Sequence, residues 1–327
     1  MWSNVTAEVG ARDAVGDDFG QRVVDDLVRL LDLESIEENI FRGLSPKVSL
    51  QRVFGGQVAG QALVAAGRTV ERDRIVHSLH SYFIRPGDPS VPIVYTVDRV
   101  RDGRSFSTRR VVAVQHGKSI FSLSASFQLP QEGIDHQSPM PESPPPESLP
   151  RAHDKFSAES ADRAPLTSGT PRRITDSGHW PFDVRYVDKP PWGERAGGPT
   201  SSQQYRVWMK ATGRLPTDPM LHACALTFAS DLIMLDTVLA RHGLSMLHDP
   251  LRMASLDHAL WFHRPFRADE WLLYSAEAPS ASGGRGLSLG RIFDESGHHV
   301  ATVVQEGMIR LRGGQQTGPA DPVSPDS

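Results

Sequence analysis

The sequence predicts an α+β protein built from two repeats, each a long helix packed on an antiparallel sheet. Three observations predict it. A glycine- and alanine-rich helical stretch (about Gly55 to Val70) and an apolar one (Pro219 to about Ala240) each precede a set of alternating segments. Each set turns at an Arg-Pro corner, Arg85-Pro86 and Arg264-Pro265, entered from Tyr82-Phe83-Ile84 and Trp261-Phe262-His263. From the corner proline to a core residue of the last strand is 41 positions in the first half (Phe127) and 40 in the second (Gln305). The shared order of elements reads as an internal duplication.

In chain order, residues 1–19 are polar, acidic and aperiodic, and are expected to be a disordered tail. A first unit spans 20–130. It opens with an amphipathic helix carrying Val23, Val24, Leu27, Leu30 and Leu31 at helical spacing. After the Gly55 helix come strands at about Leu79–Arg85, Pro92–Arg99, Thr108–Gln115 and Lys118–Phe127. Asp102-Gly103 and His116-Gly117 supply turn residues between alternating runs. Residues 131–178 form a linker and surface loop. Its stretch Ser138–Pro150 is proline-rich, semi-rigid and expected to join neither core.

The second unit spans 179–312, with 313–327 a second disordered tail. Residues 180–187 alternate like an edge strand, and Tyr205–Ala211 is another. The Pro219 helix has Thr217 and Asp218 as candidate caps, proline in its first turn and Gly243 past its end. Strands follow at about Met253–Arg264, Trp271–Ala278, Gly286–Asp294 and His299–Arg310, with a turn at Ser296-Gly297.

The chain's 327 residues allow two compact units, each with its own core. Its 35 basic and 39 acidic residues, a net charge of −4, lack the basic excess of a nucleic-acid binder. A single cysteine, Cys224, excludes an intrachain disulfide and fits a reducing compartment. No apolar run approaches the roughly 20 residues that span a bilayer. The N-terminal residues lack a basic segment followed by an apolar one, and the end is not a peroxisomal tripeptide. A cytoplasmic protein without membrane insertion is expected.

Chemistry enters through polar residues on buried faces. On the Pro219 helix Asp231 shares a face with Met220, Cys224, Thr227, Phe228, Met234, Leu235 and Val238, six of the seven apolar. A carboxylate there needs partners or a raised pKa. On the last strand Gln305 is the polar member of the face Ala301, Val303, Gln305, Gly307 and Ile309, whereas Phe121, Leu123, Ala125 and Phe127 carry nothing polar. Around Ser255-Leu256-Asp257-His258, a regular strand projects Ser255 and Asp257 together and His258 oppositely, which argues against a triad made of these neighbours. Gly286-Leu287-Ser288-Leu289-Gly290 matches a nucleophile elbow, but it lies within an alternating strand with no helix after it.

These residues resemble the acyl-CoA thioesterase II family. The resemblance covers about Asp25 to Arg310. It rests on Val53-Phe54-Gly55-Gly56-Gln57-Val58, the run from His77 to Asp88, Arg101-Asp102-Gly103-Arg104-Ser105-Phe106, Ala229-Ser230-Asp231-Leu232, the run from Leu256 to Pro265, and Val304-Gln305-Glu306-Gly307. It implies a double hot-dog fold and hydrolysis of fatty acyl-CoA without a covalent acyl-enzyme. The implied catalytic set is Asp231, Ser255 and Gln305, with Ser255 where some members carry threonine. Coenzyme A enters as part of the substrate, no further cofactor or metal is expected, and a homo-oligomer is. Two other readings stand beside this one, a non-catalytic acyl-CoA-binding protein and a serine esterase using Ser288. Arg101, Arg104, Arg109 and Arg110 could meet CoA phosphates or simply line a solvated hairpin. His80 and His258 read as structural, and Cys224 as a small apolar filler.

Overall fold

In the computed structural model, residues 19–46, 52–152, 180–190, 204–245 and 249–311 are described. Apart from Phe19, the two expected tails lie outside these residues, as does the whole of the expected loop after Ala152.

Helix α1 (residues 19–31) lays Val24, Leu27 and Leu31 into the core. A hairpin follows, β1 (Glu34–Glu37) and β2 (Ile40–Gly43), turning through Asn39 at φ 61°. The sequence reading missed it because β1 is exposed along its whole length and so carries no alternation. Helix α2 (Gly55–Gly67) leads into β3 (Ile75–Phe83), β4 (Ile93–Asp102), β5 (Phe106–Gln115) and β6 (Lys118–Gln128). His116 and Gly117 turn β5 into β6 with positive φ at both positions, as tight hairpins require.

The second repeat begins with β7 (Phe182–Tyr186) and β8 (Tyr205–Ala211). The Pro219 helix is two helices rather than one: α3 (Pro219–Ser230) and α4 (Met234–His242), separated by a turn at residues 231–233. Asp218 caps α3 through Met220 N–H at 3.0 Å, and Gly243 closes α4 at φ 64°. The break has neither proline nor glycine to cause it. One hydroxyl instead bonds back to a helix carbonyl, Thr227 Oγ1 to Ala223 O at 2.8 Å. Such back-bonding competes with the helical ladder.

Residues 219–242 together are long and apolar enough to span a membrane, which corrects the expectation that no such run exists. Most of that stretch (78% of its most apolar window) is buried inside the protein, where it acts as core.

The last strands are β9 (Leu251–Ser255), β10 (Asp257–Phe262), β11 (Leu272–Ser282), β12 (Arg285–Asp294) and β13 (His299–Leu311). All strands pair antiparallel in one sheet of order β1-β2-β4-β5-β6-β3-β10-β13-β12-β11-β8-β7, with β9 continuing β10 along β13. The repeats join where β3 meets β10, His80 standing opposite Ala259. The corners repeat in atomic detail. Arg85 donates to Ser119 O at 2.6 Å and Arg264 to His299 O at 2.9 Å.

The expected two cores are one. A single buried cluster runs through both repeats, from Leu27 and Leu63 to Phe228 and Ala301. Its centre is the antiparallel contact of α2 with α3, where the chains come unusually close. A methyl group on Gly56 would lie 2.1 Å from the Phe228 carbonyl oxygen, a backbone atom that cannot swing aside. Gly56→Ala is therefore expected to destabilise the protein by roughly 1–3 kcal/mol through overpacking. Urea unfolding measures this, and an unchanged midpoint would contradict so close a helix contact.

The proline-rich linker stays outside that core but is clamped onto the outer face of the second repeat. Trp208 Nε1 donates to Pro144 O (2.9 Å) and Trp271 Nε1 to Glu147 (2.8 Å). Met140 and Leu149 cover the small apolar cluster of Trp208, Trp271, Leu273 and Phe293.

Candidate active site

Asp231 is the C-cap of α3, in the turn where that helix breaks, so its carboxylate leaves the helix instead of lying along a continuous stripe. It faces the start of α2. A methyl group on Gly55 would stand 2.6 Å from Asp231 Oδ2, so the glycine backbone is in contact with the carboxylate. The Gly56 N–H donates to Asp231. A helix N-terminus of the first repeat thus meets a carboxylate of the second, with the helix dipole favouring negative charge there.

Ser255, at the end of β9, donates its hydroxyl to Asp231 Oδ1 at 3.0 Å. Gln305, in the middle of β13 and wholly buried, donates its amide to Ser255 Oγ at 2.8 Å and also to Asp231. The three residues named from sequence therefore converge. Burial raises the Asp231 pKa to about 6, against the opposing pull of the Ser255, Gln305 and Gly56 donors and the Arg52 charge. Asp231 as a whole residue is half-buried, and it is its carboxyl end that is enclosed. It is ionised at neutral pH yet basic enough to take a proton.

A β-bulge delivers this geometry. Ser255 stands opposite Gly307 on β13, but Ala259 stands opposite Val304, so the strand gains one residue between them. Leu256 N–H bonds Glu306 O, and the Asp257 side chain takes the Glu306 N–H at 2.7 Å. The extra residue resets the alternation. Ser255 and His258 both turn inward and Asp257 does not, contrary to the regular-strand reading. His258 is wholly buried and lies 2.5 Å from Gln305 Oε1 through Nδ1 and 2.8 Å from Ser230 Oγ through Nε2. Sequence reasoning missed His258, Ser230, Arg52 and the Gly56 amide as parts of this site. The bulge that brings His258 in leaves no mark in the hydrophobic pattern.

The first repeat has the same bulge and none of the chemistry. Val76 stands opposite Phe127 and Ser78 opposite Ser126, a slip at the position matching Leu256. With the Arg-Pro corners aligned, Val76 takes the place of Ser255, and Leu79 that of His258. Ala125, opposite Leu79, takes the place of Gln305, and Phe127 that of Gly307. This corrects the match of Gln305 with Phe127.

The other candidates are accounted for elsewhere. Ser288 is wholly buried in mid-strand β12 and donates to Met234 O at 2.6 Å. The glycines of its elbow-like motif serve packing: methyl groups there would collide with Val238 (Gly286, 2.7 Å) and the Tyr274 ring (Gly290, 2.1 Å). Arg109 is buried and tied to Asp102 and Thr69, while Arg110 pairs with Asp98 on the surface. His80 lies on the exposed face against Trp261. Cys224 is a buried core thiol whose pKa burial pushes up. A second carboxylate with a raised pKa, Asp236 at about 8, is held by Tyr186 at 3.3 Å rather than by the trio.

Comparison with known proteins identifies the family. Residues 44–128 match a family model described as the acyl-CoA thioesterase N-terminal domain, and residues 174–308 one described as acyl-CoA thioesterase. Acyl-CoA thioesterase 2 of Haemophilus influenzae is 39% identical over 88% of this chain and 98% of its own length. The crystal structure of an acyl-CoA thioesterase II, TesB2, from Mycobacterium marinum shares 45% identity, with a TM-score of 0.70 over 88% of this chain and 98% of that one. A protein from Alicyclobacillus acidocaldarius, described as having a hot dog fold, superposes with a TM-score of 0.67 at 21% identity, covering 86% of this chain and 97% of its own. With two helix-and-sheet repeats sharing one antiparallel sheet and sequence identity of this extent, the chain is a double hot-dog protein and belongs to the acyl-CoA thioesterase family.

Proposed function

We propose that the protein hydrolyses fatty acyl-CoA thioesters by direct attack of one water, held and activated by Asp231, Ser255 and Gln305. The observation that carries the reading is the convergence of those side chains on one carboxylate at the start of α2. Asp231 takes a proton from the water as its oxygen bonds the thioester carbonyl carbon. Ser255 and Gln305 orient that water and keep the carboxylate aimed.

The carbonyl oxygen gains charge as the C–O bond forms and needs preorganised donors. Besides the Gly56 N–H, which Asp231 accepts, the first-turn N–H groups of α2 have no intrahelical partner, and Phe54 offers no side-chain cap. They supply that stabilisation. Collapse of the tetrahedral intermediate breaks the C–S bond, and the proton held by Asp231 returns to the departing thiolate. Phe54, Phe83 and Phe228, packed around Gly55 and Gly56, offer an apolar wall to the acyl chain.

Release of CoA from palmitoyl-CoA, followed with a thiol indicator, tests the reading. Turnover is expected, and Ser288→Ala is expected to keep it within roughly threefold, because that hydroxyl is buried and donates to the Met234 carbonyl. Binding of palmitoyl-CoA without thiol release would favour the non-catalytic reading. Loss of turnover in a folded Ser288→Ala protein would favour a serine esterase.

A further inference from the structure

We propose that His258, anchored by Ser230, is a positioning residue that fixes the orientation of the Gln305 amide and so the polarity of the whole water-holding network. The inference rests on the hydrolytic reading above and extends it by two residues.

The argument begins with hydrogen counting. Ser230, His258, Gln305, Ser255 and Asp231 form one chain of contacts: 2.8 Å from Ser230 Oγ to His258 Nε2, 2.5 Å from Nδ1 to Gln305 Oε1, 2.8 Å from Gln305 Nε2 to Ser255 Oγ, and 3.0 Å from Ser255 to Asp231. With a neutral imidazole only two directions are self-consistent. In one, Ser230 donates to Nε2, Nδ1–H donates to Oε1, and the Gln305 amide and Ser255 hydroxyl both point their hydrogens towards Asp231. In the other, Nε2–H donates to Ser230, whose hydroxyl turns to Thr227 O, the Gln305 amide flips towards His258, and Ser255 donates to the flipped Oε1. The second leaves the carboxylate without either side-chain donor. An ionised Asp231 selects the first. His258 holds it there by donating from Nδ1–H, and burial, which lowers its pKa to about 4, keeps the imidazole neutral, so that Ser230 must donate to Nε2. Its backbone is pinned as well, since Ser81 of the first repeat donates to His258 O at 2.7 Å.

The duplication supplies an internal control. At the position matching His258, on the same inward face beside the same bulge, the first repeat has Leu79, wholly buried. The fold is thus satisfied by an apolar side chain at this place. Imidazole occurs in the repeat that also carries Ser255 and Gln305, and leucine in the one that carries Val76 and Ala125. A group required for packing alone has no reason to follow that division.

The test replaces His258 by the residue the first repeat uses. His258→Leu is expected to stay folded, with an unfolding midpoint lowered modestly because Gln305 Oε1 loses its partner, and to keep its KM within about threefold, while kcat falls roughly 10- to 100-fold. The acidic limb of its pH–rate profile should move to higher pH, because Asp231 loses an ordered donor. His258→Asn places an amide N–H where Nδ1–H stands, and is expected to restore kcat and return the limb. Ser230→Ala removes the anchor alone and should lower kcat in the same direction by less. Wild-type kcat and an unmoved limb in folded His258→Leu would overturn the proposal, as would Asn performing no better than Leu. Inactive wild-type protein, or an active Asp231→Asn variant, would instead refute the underlying hydrolytic reading.

Discussion

Asp231→Asn is expected to lower kcat by roughly 10²–10⁴ while leaving the protein folded. Asparagine keeps the shape and removes the base. The wild-type kcat/KM should rise with pH through an apparent pKa near 6, where the buried carboxylate ionises, and the variant should lack that limb. The same substitution should raise stability. The folded-state pKa lies above the ordinary 3.8, so the stability kept by the neutral acid below 3.8 is lost as pH rises through about 6. The full cost of burying the charge is up to roughly 3 kcal/mol. At pH 8 the variant should be the more stable protein, with the difference closing towards pH 4. Denaturant midpoints at the two pH values, measured beside kcat, check both halves. Wild-type turnover in the variant would remove Asp231 from the mechanism.

Gln305→Ala is expected to cost a comparable 10²–10³ in kcat, for a different reason. The base remains, but the water loses one of its two orienting groups. Asp231 loses a donor, and the His258 Nδ1–H is left buried without a partner. That orphaned group should also cost roughly 1–3 kcal/mol of stability. The acidic limb should shift upward rather than vanish, which separates this variant from Asp231→Asn. Near-normal kcat in a folded Gln305→Ala protein would contradict the arrangement.

The sequence made legible what periodicity and turn chemistry encode. The two Arg-Pro corners, the His116-Gly117 turn, the Asp218 cap and the glycine-rich face of α2 were each readable, because each satisfies a local backbone demand. Asp231 and Gln305 stood out as polar groups among apolar neighbours. Departures from ideal periodicity were not readable. The break after Ser230 has no proline to announce it, and the bulge at Leu256 reverses which side chains face inward without altering the alternating pattern. Contacts between repeats, such as Gly56 with Asp231 or Ser81 with His258, depend on a pairing of β3 with β10 that separate units would not require.

Isotopic labelling through a single turnover in H₂¹⁸O, with enzyme in excess over palmitoyl-CoA, tests direct water attack most closely. Mass spectrometry of the fatty acid and of the quenched protein should find one ¹⁸O in the acid, none in the protein, and no acyl adduct. Unlabelled acid with ¹⁸O in the Asp231 peptide, or an acylated protein at the quench, would contradict it.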